Sequence, residues 1–233
     1  MNSCKKKIKI IVCVIAFIVF SICAMVVRSS IKDRCNDEKA RDDFNVAYFP
    51  EELIGLMENI DEELDRSKNI FVGEVTGELE YVFGNSIQKI KVRRVIKSTD
   101  GMKVGEDILL SGLYILDLTT GNFKNIYTNT GFMDFMKVGD KYLIFADKKL
   151  SKSVSMGQNV YPIHKEAVIL KNINLLDKKS HICNEKVSED GKGTITKYSK
   201  VKGSEIATNS EKVLRKFYKV KHRLLKKYLG TPY

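Results

Sequence analysis

The sequence predicts an α+β protein with an N-terminal transmembrane helix, followed by a small β-barrel with flanking helices. Three observations predict it. Residues 8–27, IKIIVCVIAFIVFSICAMVV, carry no charge beyond Lys9. Residues 69–176 hold short apolar runs separated by turn residues, the pattern of several short strands. Residues 50–66 and 209–229 repeat apolar residues at helical spacing.

About 20 helical residues rise ~30 Å, the thickness of a hydrocarbon core, so 8–27 is expected to span a membrane. A cleaved signal peptide is the competing reading, with Lys5, Lys6, Lys7 and Lys9 as its basic region and Val27 and Ser29 at the cleavage site. Its apolar region would be longer than the usual roughly 7–15 residues. Ile22 before Cys23 does not suit a lipoprotein signal. Basic residues also follow the stretch: Arg28, Lys32, Arg34, Lys39 and Arg41. The short, dense lysine tail favours a cytoplasmic N-terminus (residues 1–7), because the first helix usually sets topology. Residues 28–49 then form a juxtamembrane linker, and the domain beyond is expected outside a plasma membrane.

The chain's net charge of +11 is concentrated at its ends. Residues 1–27 carry four lysines and no acid, and 211–233 carry 8 basic residues against the single Glu211. Residues 28–210 are balanced, which argues against a general nucleic-acid surface. Of 5 cysteines, Cys4, Cys13 and Cys23 fall in the tail and the apolar stretch. Cys35 and Cys183 remain, as one disulfide or as two free thiols. A bridge would close a loop of about 150 residues, for which chain entropy gives roughly 5 kcal/mol.

Pro50 opens a helix over 50–66, with Leu53, Ile54, Met57, Ile60 and Leu64 on one face and Glu51 and Glu52 at its positive end. NIFVGEV reads as a strand. QKIKVRRVIK alternates until Arg93–Arg94, where lost phase marks a bulge or a strand end. DILLSGLYIL, KYLIFADKK and EAVILKNINLL give further strands. MKVGEDILL from Met102 and MKVGDKYLI from Met136 match, each placing a glycine, Gly105 or Gly139, just before a strand. Two similar turns in one β-domain account for this.

The order FVGEV, KIKVRRVIKS, MKVGEDILLSG, MKVGDKYLIFA resembles OB-fold-like or netrin-like modules in small extracytoplasmic proteins of Gram-positive bacteria. The resemblance covers residues 69–176 and implies an OB-like barrel, 67–178, with binding as its default role. Related animal barrels inhibit metalloproteases using several disulfides and a free N-terminal Cys. This chain has neither, so inhibition is not carried over. Between the strands, 111–130 form a long loop in which Tyr114, Phe123 and Tyr127 alternate with Asn and Thr. Such loops either bind ligands or fill a barrel end.

No catalytic set emerges. The three histidines, His164, His181 and His222, form no paired metal motif. His181 and Cys183 are two apart, which is too few ligands for a site. Ser86-x-x-Lys89 and Ser199-x-x-Lys202 lack the partner motifs of penicillin-recognising enzymes. Residues 179–207 read as a polar linker, including the turn Glu189-Asp190-Gly191.

The C-terminal helix, 208–230, begins at a Thr208–Glu211 capping box and stops at Gly230 and Pro232. Val213, Phe217, Val220, Leu224 and Tyr228 form one face with Leu214 and Leu225. Lys212, Arg215, Lys216, Lys219, Arg223, Lys226 and Lys227 cover much of the rest. These cations are solvated, lie on anionic lipid, or capture an anionic polymer or partner. The expectation is a single-pass extracellular binding or interaction module of the cell envelope, without catalysis, cofactor or nucleic acid. Its partners would be the membrane and an anionic lipid, a wall polymer or another envelope protein. The alternatives are an envelope hydrolase, which a pocket holding His164 or His181 beside a carboxylate would favour, and a structural subunit of a membrane complex.

Overall fold

The computed structural model describes residues 14–15, 17–25, 42, 45–82, 85–113, 116–117, 127–128, 134–155, 157–166, 169–178, 180–182 and 195–230. The strands, in chain order, are β1 (Asn45–Ala47), β2 (Asn69–Val75), β3 (Glu80–Val82), β4 (Asn85–Ser98), β5 (Asp107–Ser111), β6 (Leu116–Asp117) and β7 (Tyr127–Thr128). They continue with β8 (Lys141–Ala146), β9 (Val160–Pro162), β10 (Asn172–Asn174), β11 (His181–Ile182), β12 (Ile195–Lys197) and β13 (Ala207–Thr208). The helices are a 3-10 segment (Glu51–Met57), α1 (Ile60–Asp65), α2 (Tyr198–Val201) and α3 (Glu211–Leu229).

The principal sheet runs β10-β8-β2-β4-β5-β9, with β3 hairpinned onto β4. All its pairs are antiparallel except β5 with β9. The sheet curls into a half-barrel. Its edges meet at one end through the Ala146–Ile163 bridge and the His164 N–H bond to Phe145 O (2.9 Å), while β10 holds the other end apart. Curling starts in β4. Phe71 pairs with Val95 and Ile70 with Lys97, skipping Ile96; Val72 pairs with Arg94 and Gly73 with Val92, skipping Arg93. Each extra residue bends and twists the strand, so the lost phase at Arg93–Arg94 is a bulge.

β2 and β8 are covered on both faces. Inside the curl lie Phe71, Val75, Ile90, Val92, Ile108, Leu110, Tyr142, Ile144 and Tyr161. On the outer face Ile70, Val72, Leu143 and Phe145 pack with Met57, Ile60, Leu64 and the α3 residues Val213, Phe217, Val220, Leu224, Leu225 and Leu229. NIFVGEV is therefore apolar throughout because successive side chains enter two different cores. A small sheet, β12-β1-β7-β6, lies beside Val46, Phe135, Tyr198 and Val201.

The matching turns adopt one geometry. Gly105 and Gly139 both have φ +87°, and their N–H groups donate to Val92 O (2.8 Å) and Val75 O (2.9 Å). A left-handed residue is needed there, and glycine takes that conformation at little cost.

The expected N-terminal transmembrane helix is overturned: no helix among the described residues is long and apolar enough to cross a membrane. Within 8–27, helix is described at 14–15 and 17–25. The architecture is α+β with a curled half-barrel sheet.

The single helix expected over 50–66 is also divided, into the 3-10 segment and α1. Ile54, Met57 and Ile60 share a face at the 3-residue period of a 3-10 helix, then Ile60 and Leu64 at α spacing. Leu53 is left 40% exposed. The EAVILKNINLL strand shortens to β10, preceded by Leu170 with φ +58°. β9 went unread because it is three residues long and ends in Pro162.

Gly73 leaves no room for a side chain inside the curl. A Cβ there would lie 2.4 Å from Ile90 Cγ2 and 2.9 Å from Ile144 Cδ1, whereas one on Gly55 meets nothing within 4 Å. Gly73→Ala is expected to lower stability by about 1–3 kcal/mol, as overpacking does. Gly55→Ala should be neutral or stabilising by up to about 1 kcal/mol. Urea unfolding of both variants measures the difference.

Candidate functional site

α3 begins at Glu211, two residues after Asn209. Its cap is Ser210, whose hydroxyl accepts from Lys212 N–H (3.2 Å) and Val213 N–H (3.5 Å). The expected cap, Thr208, instead donates to Phe49 O (2.7 Å) from β13. Gly230, with φ +79°, closes the helix as anticipated.

The apolar face is buried: Val213, Phe217, Val220, Leu224 and Leu225 are at most 1% exposed. Lys221 is buried with them, at 0%. Its ammonium donates to Glu205 Oε1 (2.6 Å), Asp177 Oδ1 (2.9 Å) and Leu176 O (3.0 Å). Burial raises the Glu205 carboxyl above its ordinary value despite Lys221 beside it. At Asp177 burial opposes the charge too, but hydrogen bonds from Lys221 and His222 outweigh it and lower its value. The sequence reading overlooked Lys221. Its signal was a lysine four residues after Phe217 and three before Leu224, inside the apolar stripe.

The other cations divide by position around the helix. On one flank Lys212 pairs with Glu51 (3.3 Å), Arg223 with Asp61 (2.9 Å) and Lys227 with Asp65 (2.6 Å). On the opposite flank His222 meets Asp177 (3.0 Å), and Tyr218 donates to Lys178 O (2.7 Å). Between the flanks, Arg215, Lys219 and Lys226 fall within ~40° of one another, opposite the buried arc. All three are exposed, and none has an acidic partner among the described residues. Lys216 sits toward the first flank, also without one. The predicted basic surface is thus a clamped margin and a free crown.

Of the other sequence candidates, Tyr114, Phe123, Cys35 and Cys183 lie outside the described residues, as does the side chain of His181. Tyr127 is described as backbone in β7, parallel to β1. Cys23 is a free, exposed thiol.

His164 does lie against a carboxylate: Nδ1 is 2.5 Å from Asp147 Oδ1. Its Nε2 is held by Glu63 O at 3.0 Å, and its side chain is only 3% exposed. Both ring nitrogens are occupied in fastening the ends of β8 and β9 to α1, so this pair does not favour the hydrolase. A cleft of about 20 Å³ is lined by Asp134, Phe135, Tyr142, Asn172, Asn174, Lys178 and Glu205, room for one water-sized group. Beside it Asp140 accepts from Tyr142 (3.3 Å), Asn174 (3.4 Å) and Lys178. Burial pushes the Tyr142 hydroxyl well up. Among the described residues no group of three or more His, Cys, Asp or Glu is placed to hold a metal.

No protein-family model matches the chain, and no curated protein matches it significantly.

Two predictions follow from the clamps. Glu205→Leu should cost about 3 kcal/mol by leaving the buried Lys221 ammonium only the half-exposed Asp177 and Leu176 O, and adding Lys221→Met should restore much of the loss; chemical denaturation of the single and double variants reads both. At Asp65 burial opposes the charge, but Lys227 and Tyr228 outweigh it; at Glu51 hydrogen bonds from Ser210 and Lys212 lead. Both carboxyls are more acidic folded than unfolded. Their contribution is therefore present above the ordinary values of 3.8 and 4.5 and is lost as pH falls through the lower folded values. Thermal melts between about pH 6 and pH 3 should fall less steeply for Asp65→Asn than for the parent.

Proposed function

We propose that this chain is a binding module that engages an anionic partner through the crown of α3. One observation carries the reading: Arg215, Lys219 and Lys226 stand exposed in one column with no acidic partner among the described residues, while Lys212, Arg223 and Lys227 around them are each paired. Unpaired cations packed along one rigid helix repel one another, and an incoming anion relieves that repulsion. A helix anchored by a fully buried apolar face presents them without further ordering, which lowers the entropic cost of binding. The resemblance to OB-like modules also carries binding as its default role. Contact with anionic lipid by insertion of α3 has no support, because insertion needs a free apolar face.

The full chain is expected to be retained on a heparin matrix. Replacing Arg215, Lys219 and Lys226 together by Glu should weaken retention by about tenfold or more at low salt. Unchanged retention with an unchanged circular dichroism spectrum sinks the proposal.

A further inference from the structure

We infer that the crown of α3 receives a single linear polyanion, laid along the helix axis, with a negative charge about every 5–6 Å. The inference rests on the anionic-partner reading above and narrows it to a chain of phosphate-type charges.

Spacing is the first reason. Arg215 and Lys219 are four residues apart, ~6 Å along the axis, and Lys226 follows ~10 Å on, about two such steps; His222, between them, is held to the flank by Asp177. The column is ~16 Å long and one side chain wide.

Width is the second. Glu51 and Asp65 on one flank and Asp177 on the other have side chains 46%, 50% and 49% exposed. Each is already paired with a cation, so the flanks offer a flat anionic surface little net charge beyond the column. A narrow chain touches the cations and clears the acids.

Two further features exclude other ligands by chemistry. The apolar residues of α3 face the sheet, leaving nothing to enter a bilayer. Single-stranded nucleic acid would need aromatic platforms beside the cations. Of the aromatic residues on α3, Phe217 and Tyr228 pack toward the sheet, and Tyr218, on the flank, is tied down by a hydrogen bond to Lys178 O.

The test titrates the full chain with long-chain inorganic polyphosphate, triphosphate, phosphatidylglycerol vesicles and an oligothymidylate, at about 50 and 200 mM salt. Polyphosphate is expected to bind, with affinity falling steeply as salt rises, and triphosphate to bind about tenfold more weakly because it reaches only part of the column. Arg215→Gln/Lys219→Gln/Lys226→Gln should lower polyphosphate affinity about tenfold or more, and Lys212→Gln or Lys227→Gln alone less than about threefold. Circular dichroism confirms that each variant is folded. Equal losses from crown and flank variants overturn the column. Crown-dependent binding that is tighter to vesicles, or to oligothymidylate, than to polyphosphate overturns the linear-polyanion assignment while leaving the anionic-partner reading intact. Binding to none of the four probes overturns both.

Discussion

β2 and β8 sit at the middle of a sheet that has an apolar surface on each side. Phe71, Val75, Tyr142 and Ile144 fill the curl, while Ile70, Val72, Leu143 and Phe145 require a second cover. At roughly 25 cal/mol per Å² of apolar surface, leaving that outer face in water would cost far more than a marginally stable domain can lose. α3 is the cover. Its seating on those four side chains determines which of its residues face inward and which face solvent.

The polar contacts around α3 then hold a position that apolar packing alone leaves free to slide. Lys221 reaches through the packed face to Glu205 and Asp177, and Ser210 and Glu51 secure the start of the helix. Arg223 and Lys227 fasten its side to Asp61 and Asp65. A buried ammonium with carboxylates contributes little net stability and penalises misplacement heavily, because a wrong register would strand the charge. The exposed pairs contribute less each, but they consume the cations beside the crown. The same contacts that orient the helix thus leave a narrow basic column.

That column is the functional idea the structure supports best. His164 with Asp147, and the carboxylates around the cleft at Tyr142, each have partners that explain them as fastenings between elements. Arg215, Lys219 and Lys226 have no such explanation. They lie on a helix held by a buried apolar face and by ion pairs along its flank, which suits a surface that must meet a ligand without rearranging.

Much of this was legible in the residues. The change of period from helix to strand at Asn69, the bulge at Arg93, the paired glycine turns and the amphipathic C-terminal helix each show in the residue spacing of their own segment, so local spacing reports them. The 3-10 period of Ile54, Met57 and Ile60, the short β9 strand and the Ser210 cap were decided by what they pack against. The apolar composition of 8–27 was plain, but it did not determine a membrane-spanning helix among the described residues. Most consequentially, seven basic residues on α3 looked alike as a sequence. Only the tertiary structure brought Glu51, Asp61 and Asp65 from more than a hundred residues away against three of them, and drew Lys221, which the sequence reading had left out, into the core. Charge is a property of a residue, but whether it is free depends on what the fold places within a few ångströms.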